Sequence, residues 1–239
     1  MSLYRIADLL VQYEPQYAML RGRSEKYRAE STDESAPCID CDRQTLAEMC
    51  LAFPQLTVEE CEYMQVGRAF FNLLLSHSGM MLHASAVVVG ERAYLFSAPS
   101  GTGKSTHTAL WLKKFGNRAY LLNDDKPALR IASDRVYAYG APFSGKFDLS
   151  VNTRVPVEGI AVIERSETNH IERKNGRDAL YALLNQTVRP VEVGLYTRLL
   201  QTVQTVIQTV PIYTLYCNMD PQAADVAYET MRKGNNHED

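Results

Sequence analysis

The chain contains no run of 18 apolar residues, no block of lysine and arginine, no linker rich in Gly, Ser or Pro, and no internal repeat. Each absence removes a class of protein. Without a long apolar run no helix is expected to span a bilayer, and the opening MSLYRIADLL has neither the basic region nor the apolar core of a secretory signal, so a cytoplasmic protein is expected. With 25 Lys+Arg against 28 Asp+Glu, a net charge of -3 and no basic block, neither nucleic acid nor an anionic membrane is the expected partner. A small molecule, peptide or protein remains, and a homo-oligomer is left open. The five cysteines, an odd number in a chain large enough to stabilise itself without cross-links, fit reduced thiols. Cys38 and Cys41 form a C-x-x-C, but Cys50 and Cys61 follow at spacings that give no second knuckle, which speaks against zinc or a redox pair. The absence of any period of 20 to 50 residues excludes a solenoid; the QTV triplets near 201–210 lie within one helical pattern.

What is present is the 46% hydrophobic content of an ordinary core, in patterns that alternate between strand and helix. Short alternating pieces at Tyr4–Val11 and Tyr17–Leu20 read as edge strands. From Asp42 the spacing of Leu46, Met49, Cys50 and Phe53 is helical until Pro54, and Thr57 with Glu60 forms a capping box for a longer helix ending near Gly79. MMLHASAVVV (80–89), the turn GER and AYLFS (93–97) predict a strand hairpin. A helix over 105–115, strands at 119–122, 135–140, 159–164 and 212–217, helices near 177–185 and 191–210, and a last helix opened by Asp220-Pro221 complete the pattern. KGNNHED reads as a solvated tail.

The second hairpin strand runs into SAPSGTGKST. A phosphate-binding loop needs small residues so that successive backbone N–H groups turn inward, a lysine for the β and γ oxygens, and a hydroxyl for Mg²⁺ at the start of a helix. Ser100, Gly101, Thr102, Gly103, Lys104, Ser105 and Thr106 supply these parts, and the helix beginning at Ser105 adds its positive end. Ala98 stands where the G-x-x-x-x-G-K-[ST] pattern has its first glycine, and alanine is tolerable there if its φ is negative. The strand 119–122, read as a parallel neighbour, would bring Asp124 and Asp125 to the same edge as Lys104, with adjacent side chains on opposite faces. One carboxylate would hold Mg²⁺ or act as base toward an acceptor hydroxyl, and the other would orient the loop. His83 lies on the first hairpin strand. Ser144 and Lys146, in FSGKFD, sit in a loop where a lysine could meet a second anion.

In their order and separation, LHASAVVV, PSGTGKST and LLNDD resemble the HPr kinase/phosphorylase family, which is itself similar to the ATP-dependent phosphoenolpyruvate carboxykinases around the loop. The resemblance covers residues 80–130 and, more loosely, the rest of the C-terminal part. It implies an α/β fold, a P-loop kinase core with a mixed β-sheet flanked by helices at 61–239; of residues 1–60 it says little, the family's separate N-terminal domain is not recognisable there, and that stretch is expected to be a small α+β extension packed on the core. It implies that Lys104 and the loop backbone bind the ATP phosphates, that Ser105 holds Mg²⁺, that one of Asp124 and Asp125, Asp125 in preference, is the catalytic base, which leaves Asp124 as the further candidate for Mg²⁺, and that His83 stands close to the reacting phosphate. In this family the acceptor is a serine hydroxyl, some members also remove the phosphate, and smaller relatives act on peptides or free serine. The family's later glycine-rich, glutamate-containing signature has no counterpart here, and Ser144 and Lys146 in YGAPFSGK are candidates for an acceptor site instead. The expected activity is therefore ATP-dependent, Mg²⁺-dependent phosphorylation of a hydroxyl on a peptide, protein or small amino acid. The alternatives are a non-catalytic ATP-binding module in a peptide-maturation or regulatory system, and a carboxykinase-like lyase.

Overall fold

A computed structural model describes residues 1–31 and 35–234; the end of the expected tail, from 235, lies outside the described residues. The strands are β1 (Ser2–Ile6), β2 (Leu9–Tyr13), β3 (Gly79–Met81), β4 (Ala84–Val89), β5 (Arg92–Ser97), β6 (Ala119–Asn123), β7 (Ala128–Ala132), β8 (Arg135–Tyr139), β9 (Arg154–Arg165), β10 (His170–Arg173) and β11 (Ile212–Cys217). The helices are α1 (Ala18–Glu25), α2 (Arg43–Ala52), α3 (Val58–Leu75), α4 (Lys104–Phe115), α5 (Gly176–Asn185), α6 (Val193–Thr209) and α7 (Gln222–Met231). Apart from the β1–β2 hairpin, the strands form one curled mixed sheet in the order β3-β7-β8-β9-β5-β4-β6. β9 is its axis. One edge pairs in parallel with β5; the other passes from antiparallel β8 at its start to parallel β11 at its end, where β10 adds on.

Both faces of the central strands are covered, which explains why β4 reads as a continuous apolar run. Ala86 and Val88 point to the layer formed by Leu183 of α5 and Leu199, Val203 and Val206 of α6. Val87 and Val89, one residue out of phase, point to Trp111 and Phe115 of α4 and the alanines of α7. A third cluster joins Tyr4, Val11, Tyr13 and Leu20 to Val66, Phe70 and Leu74 of α3 and to Phe143.

Several elements differ from the sequence pattern. The 80–89 run is two strands, because its first part pairs with β7 and its second with β5 and β6. His83 lies in the break rather than on a strand; its backbone N–H donates to Gln186 O at 2.7 Å. The strand after the loop helix, β6, is not the neighbour of β5: β4 lies between them, antiparallel to both, so β6 and β5 still run in the same direction. Tyr17–Leu20 opens helix α1 instead of forming an edge strand, and the N–H groups of Gln16 and Tyr17, just ahead of the helix, are taken by the buried Glu62 side chain. The strands β7 and β10 were absent from the sequence reading. Both are short, β7 buried at Ala128 and Leu129 and partly buried beyond, β10 mostly exposed, and each is defined by its partner rather than by its own pattern.

Candidate functional site

β5 delivers Ser97, the chain turns through 98–103, and α4 begins at Lys104. Two of the loop's residues need glycine: Gly101 has φ 77° and Gly103 φ 130°, where a side chain would strain the backbone. Ala98 is not among the residues of positive φ and is fully buried, so the smallest side chain with a Cβ fits where the motif usually has glycine. Gly103, as the N-cap of α4, offers no side chain to the first-turn N–H groups, which leaves them for an anion. Lys104 Nζ crosses the loop to Ala98 O at 2.8 Å. Arg165, at the end of β9, braces the loop from outside through Gly101 O at 2.6 Å and Thr102 O at 3.2 Å. Ser105 and Thr106 are exposed at the helix start. Beside them a cavity of about 470 Å³ opens between the loop and the ends of β9 and β11, with Arg165, Asn218 and Met219 on its far wall. His107 lies under it, 2% exposed, with Nε2 accepting from Trp111 Nε1 at 2.9 Å. Burial pushes its pKa down to about 4, which keeps the ring neutral.

The acids follow β6. The side-chain oxygen of Asn123, itself buried, accepts the N–H groups of Asp125 at 2.9 Å and Lys126 at 2.7 Å, and its nitrogen donates to Ala141 O at 3.1 Å. This Asx turn ends the strand and sends the two aspartates to different partners. Asp125 meets His83 Nε2 at 3.2 Å and forms an ion pair with Lys126. Burial would raise the Asp125 pKa, but the hydrogen bond from His83 and the Lys126 charge override it and hold the carboxyl far below its usual range. The second ring nitrogen of His83 lies 3.1 Å from Gln186 Oε1. The Lys126 ammonium lies 5.6 Å from the Tyr63 ring centroid; burial would depress its pKa, and Tyr63 and Asp125 raise it above the usual lysine value. Burial lowers the Lys104 pKa; the negative charge of Asp125 acts against this and the positive charge of Lys126 with it, so these three side chains share one electrostatic environment.

Asp124 turns to the 143–148 loop. Its Oδ1 accepts the Gly145 N–H at 2.5 Å, and a Cβ on Gly145 would lie 2.8 Å from its Oδ2. Burial raises its pKa, and the Gly145 amide offsets this in part. Ser144 is 2% exposed, with its hydroxyl donated to Asp148 Oδ1 at 2.7 Å, whereas Lys146 is exposed to solvent. The structure thus gathers Lys104, His83, Asp124 and Asp125 at one sheet edge, with Ser144 tied into its own loop. Lys126, Arg165, Gln186, Arg23 and Tyr63 were not singled out in the sequence. Lys126 had a local signal in following the Asp pair; the other four reach the site only through the fold.

A set of oxygen donors suits Mg²⁺, which takes one or two protein ligands and completes its shell with phosphate and water. The Ser105 hydroxyl and the Asp124 oxygen left over from Gly145 fit that chemistry better than Asp125, both of whose oxygens are engaged.

No family model matches the chain, and no curated protein matches it. The structure of the Hpr(Ser) kinase/phosphatase from Coxiella burnetii is similar to it at a TM-score of 0.38 and 10% sequence identity, over 63% of this chain and 93% of that chain. The chemistry is therefore read from the residues of the site.

Proposed function

We propose that the chain is an ATP-dependent phosphotransferase that moves the γ-phosphate to a hydroxyl of a peptide, protein or small amino acid. The observation that carries this reading is the meeting, at one sheet edge, of a glycine-rich loop and its lysine with a carboxylate kept ionised by His83 and Lys126. The loop N–H groups and Lys104 would bind the phosphates, and the cavity beside Thr106 would take the nucleoside. Ser105 and Asp124 would hold Mg²⁺, which neutralises charge on the phosphate oxygens. The acceptor hydroxyl would donate its hydrogen bond to the second lone pair of an Asp125 oxygen already paired with His83 or Lys126; as the hydroxyl oxygen bonds to the γ-phosphorus, the bond to the β-phosphate oxygen breaks, ADP leaves and the proton passes to Asp125. A transition state of this kind needs positioning and charge stabilisation more than a strong base, which suits a carboxylate of low pKa.

The test is incubation with labelled ATP, Mg²⁺ and a panel of serine-bearing peptides, proteins and free serine. Label should reach an acceptor, and the rate should fall by a factor on the order of 100 or more in Lys104→Ala and in Asp125→Ala. Transfer that survives both substitutions sinks the assignment. Tight ATP binding with no transfer to any acceptor selects the alternative, a nucleotide-binding module.

A further inference from the structure

The 143–148 loop is held on one side by the end of β6 and on the other by residues outside the sheet. Phe143 is its apolar anchor: 1% exposed, it stacks on Phe70 at 5.5 Å and meets Phe71 and Tyr63 at 5.2 and 5.8 Å. It also packs against Gly67 of α3, where a Cβ would come within 3.1 Å of the ring. The polar anchors are Arg23 of α1 and Tyr63 of α3. Arg23 donates through Nη1 to Ser144 O at 2.7 Å and through Nη2 to Gly145 O at 3.0 Å, spanning two successive carbonyls. Tyr63 donates its hydroxyl to the same Ser144 O at 3.0 Å, and the Arg23 guanidinium lies 5.0 Å over its ring. Glu62 sets the origin of α1 by accepting the N–H groups of Gln16 at 2.5 Å and Tyr17 at 3.2 Å. The residues so held carry the Gly145 N–H that fixes Asp124.

We infer that Arg23 and Tyr63 are positioning residues for Asp124, acting through the Ser144 and Gly145 backbone to aim the carboxylate at the metal of the nucleotide. The inference rests on the phosphotransferase reading. A planar guanidinium bridges two carbonyls, which a single ammonium does with less directional control. Partners that orient a ligating carboxylate tune metal affinity without touching the metal. A merely structural role for Arg23 would alter stability and leave metal affinity alone.

The test is titration of Mn²⁺, followed by electron paramagnetic resonance, with a non-hydrolysable ATP analogue bound to the full chain. Nucleotide binding is measured separately in EDTA. Arg23→Met should weaken Mn²⁺ binding by about tenfold with nucleotide binding in EDTA unchanged, and Arg23→Lys should restore it only in part. Because the two act in series, Arg23→Met combined with Asp124→Asn should bind Mn²⁺ no more weakly than Asp124→Asn alone. Tyr63→Phe keeps the ring and removes the hydroxyl, and should move Mn²⁺ affinity in the same direction by less; it serves if Arg23→Met does not fold. Unchanged Mn²⁺ affinity in the folded variants, or full additivity in the double variant, overturns the inference while the phosphotransferase reading stands. An unaltered chain that binds no nucleotide overturns both.

Discussion

His107 shows how a single side chain can be tied to the fold by its protonation state. It packs between Phe96 and Trp111, accepts from the indole, and has Nδ1 without a partner among the described residues. An unfolded histidine titrates near its ordinary value of 6.5, and burial depresses the folded value to about 4. The unfolded state therefore binds the extra proton in the interval between, and stability falls as pH falls from about 6.5 to about 4. The loss approaches about 3 kcal/mol at the acid end. His107→Gln has no group titrating there, so the unfolding free energies of the two proteins, measured by urea denaturation at intervals of pH, should diverge by about that amount; parallel curves would show that the histidine is not buried neutral. Ala98 makes the opposite point. It departs from the loop motif, yet it is fully buried and its φ is not positive, so the glycine requirement falls on Gly101 and Gly103.

Apart from α1, where Tyr17–Leu20 reads as an edge strand, the helices were legible because their signals are local. Thr57 caps α3 in a complete capping box, with its hydroxyl accepting from Glu60 N at 3.2 Å and Glu60 Oε2 accepting from Thr57 N at 2.8 Å. Thr57→Ala should lower stability by about 1 kcal/mol in chemical denaturation, and an unchanged midpoint would mean that the box contributes nothing. The same reasoning placed α5, α6 and α7 close to their observed bounds, through apolar stripes and the Asp220-Pro221 start. Strands were less legible. The continuous run 80–89 gives no internal sign that its pairing partner changes after Met81, and the break that holds His83 follows from that change. Likewise, no local pattern says that β4 separates β5 from β6.

Taken whole, the chain joins its first 75 residues to the sheet through one continuous cluster that runs from Tyr4 and Leu20 through α3 to Phe143. Leu20→Ala removes buried methyl groups from this cluster and should cost about 2–5 kcal/mol. Because the cluster is shared, urea unfolding should be a single transition, with coincident midpoints for Trp111 fluorescence, which reports the α4 face of the sheet, and for far-UV circular dichroism. Separated midpoints would mean that the N-terminal part unfolds on its own. The loop, the capped helices and the apolar runs could be read from order alone, because the requirements for φ, for caps and for amphipathic periodicity are met within a few residues. Which aspartate faces His83, which faces Gly145, and that Arg23 and Tyr63 close on Ser144 some 80 to 120 positions away could not. Those contacts depend on where packed helices and an intervening strand carry the backbone, and only the folded chain brings such distant residues within hydrogen-bonding distance.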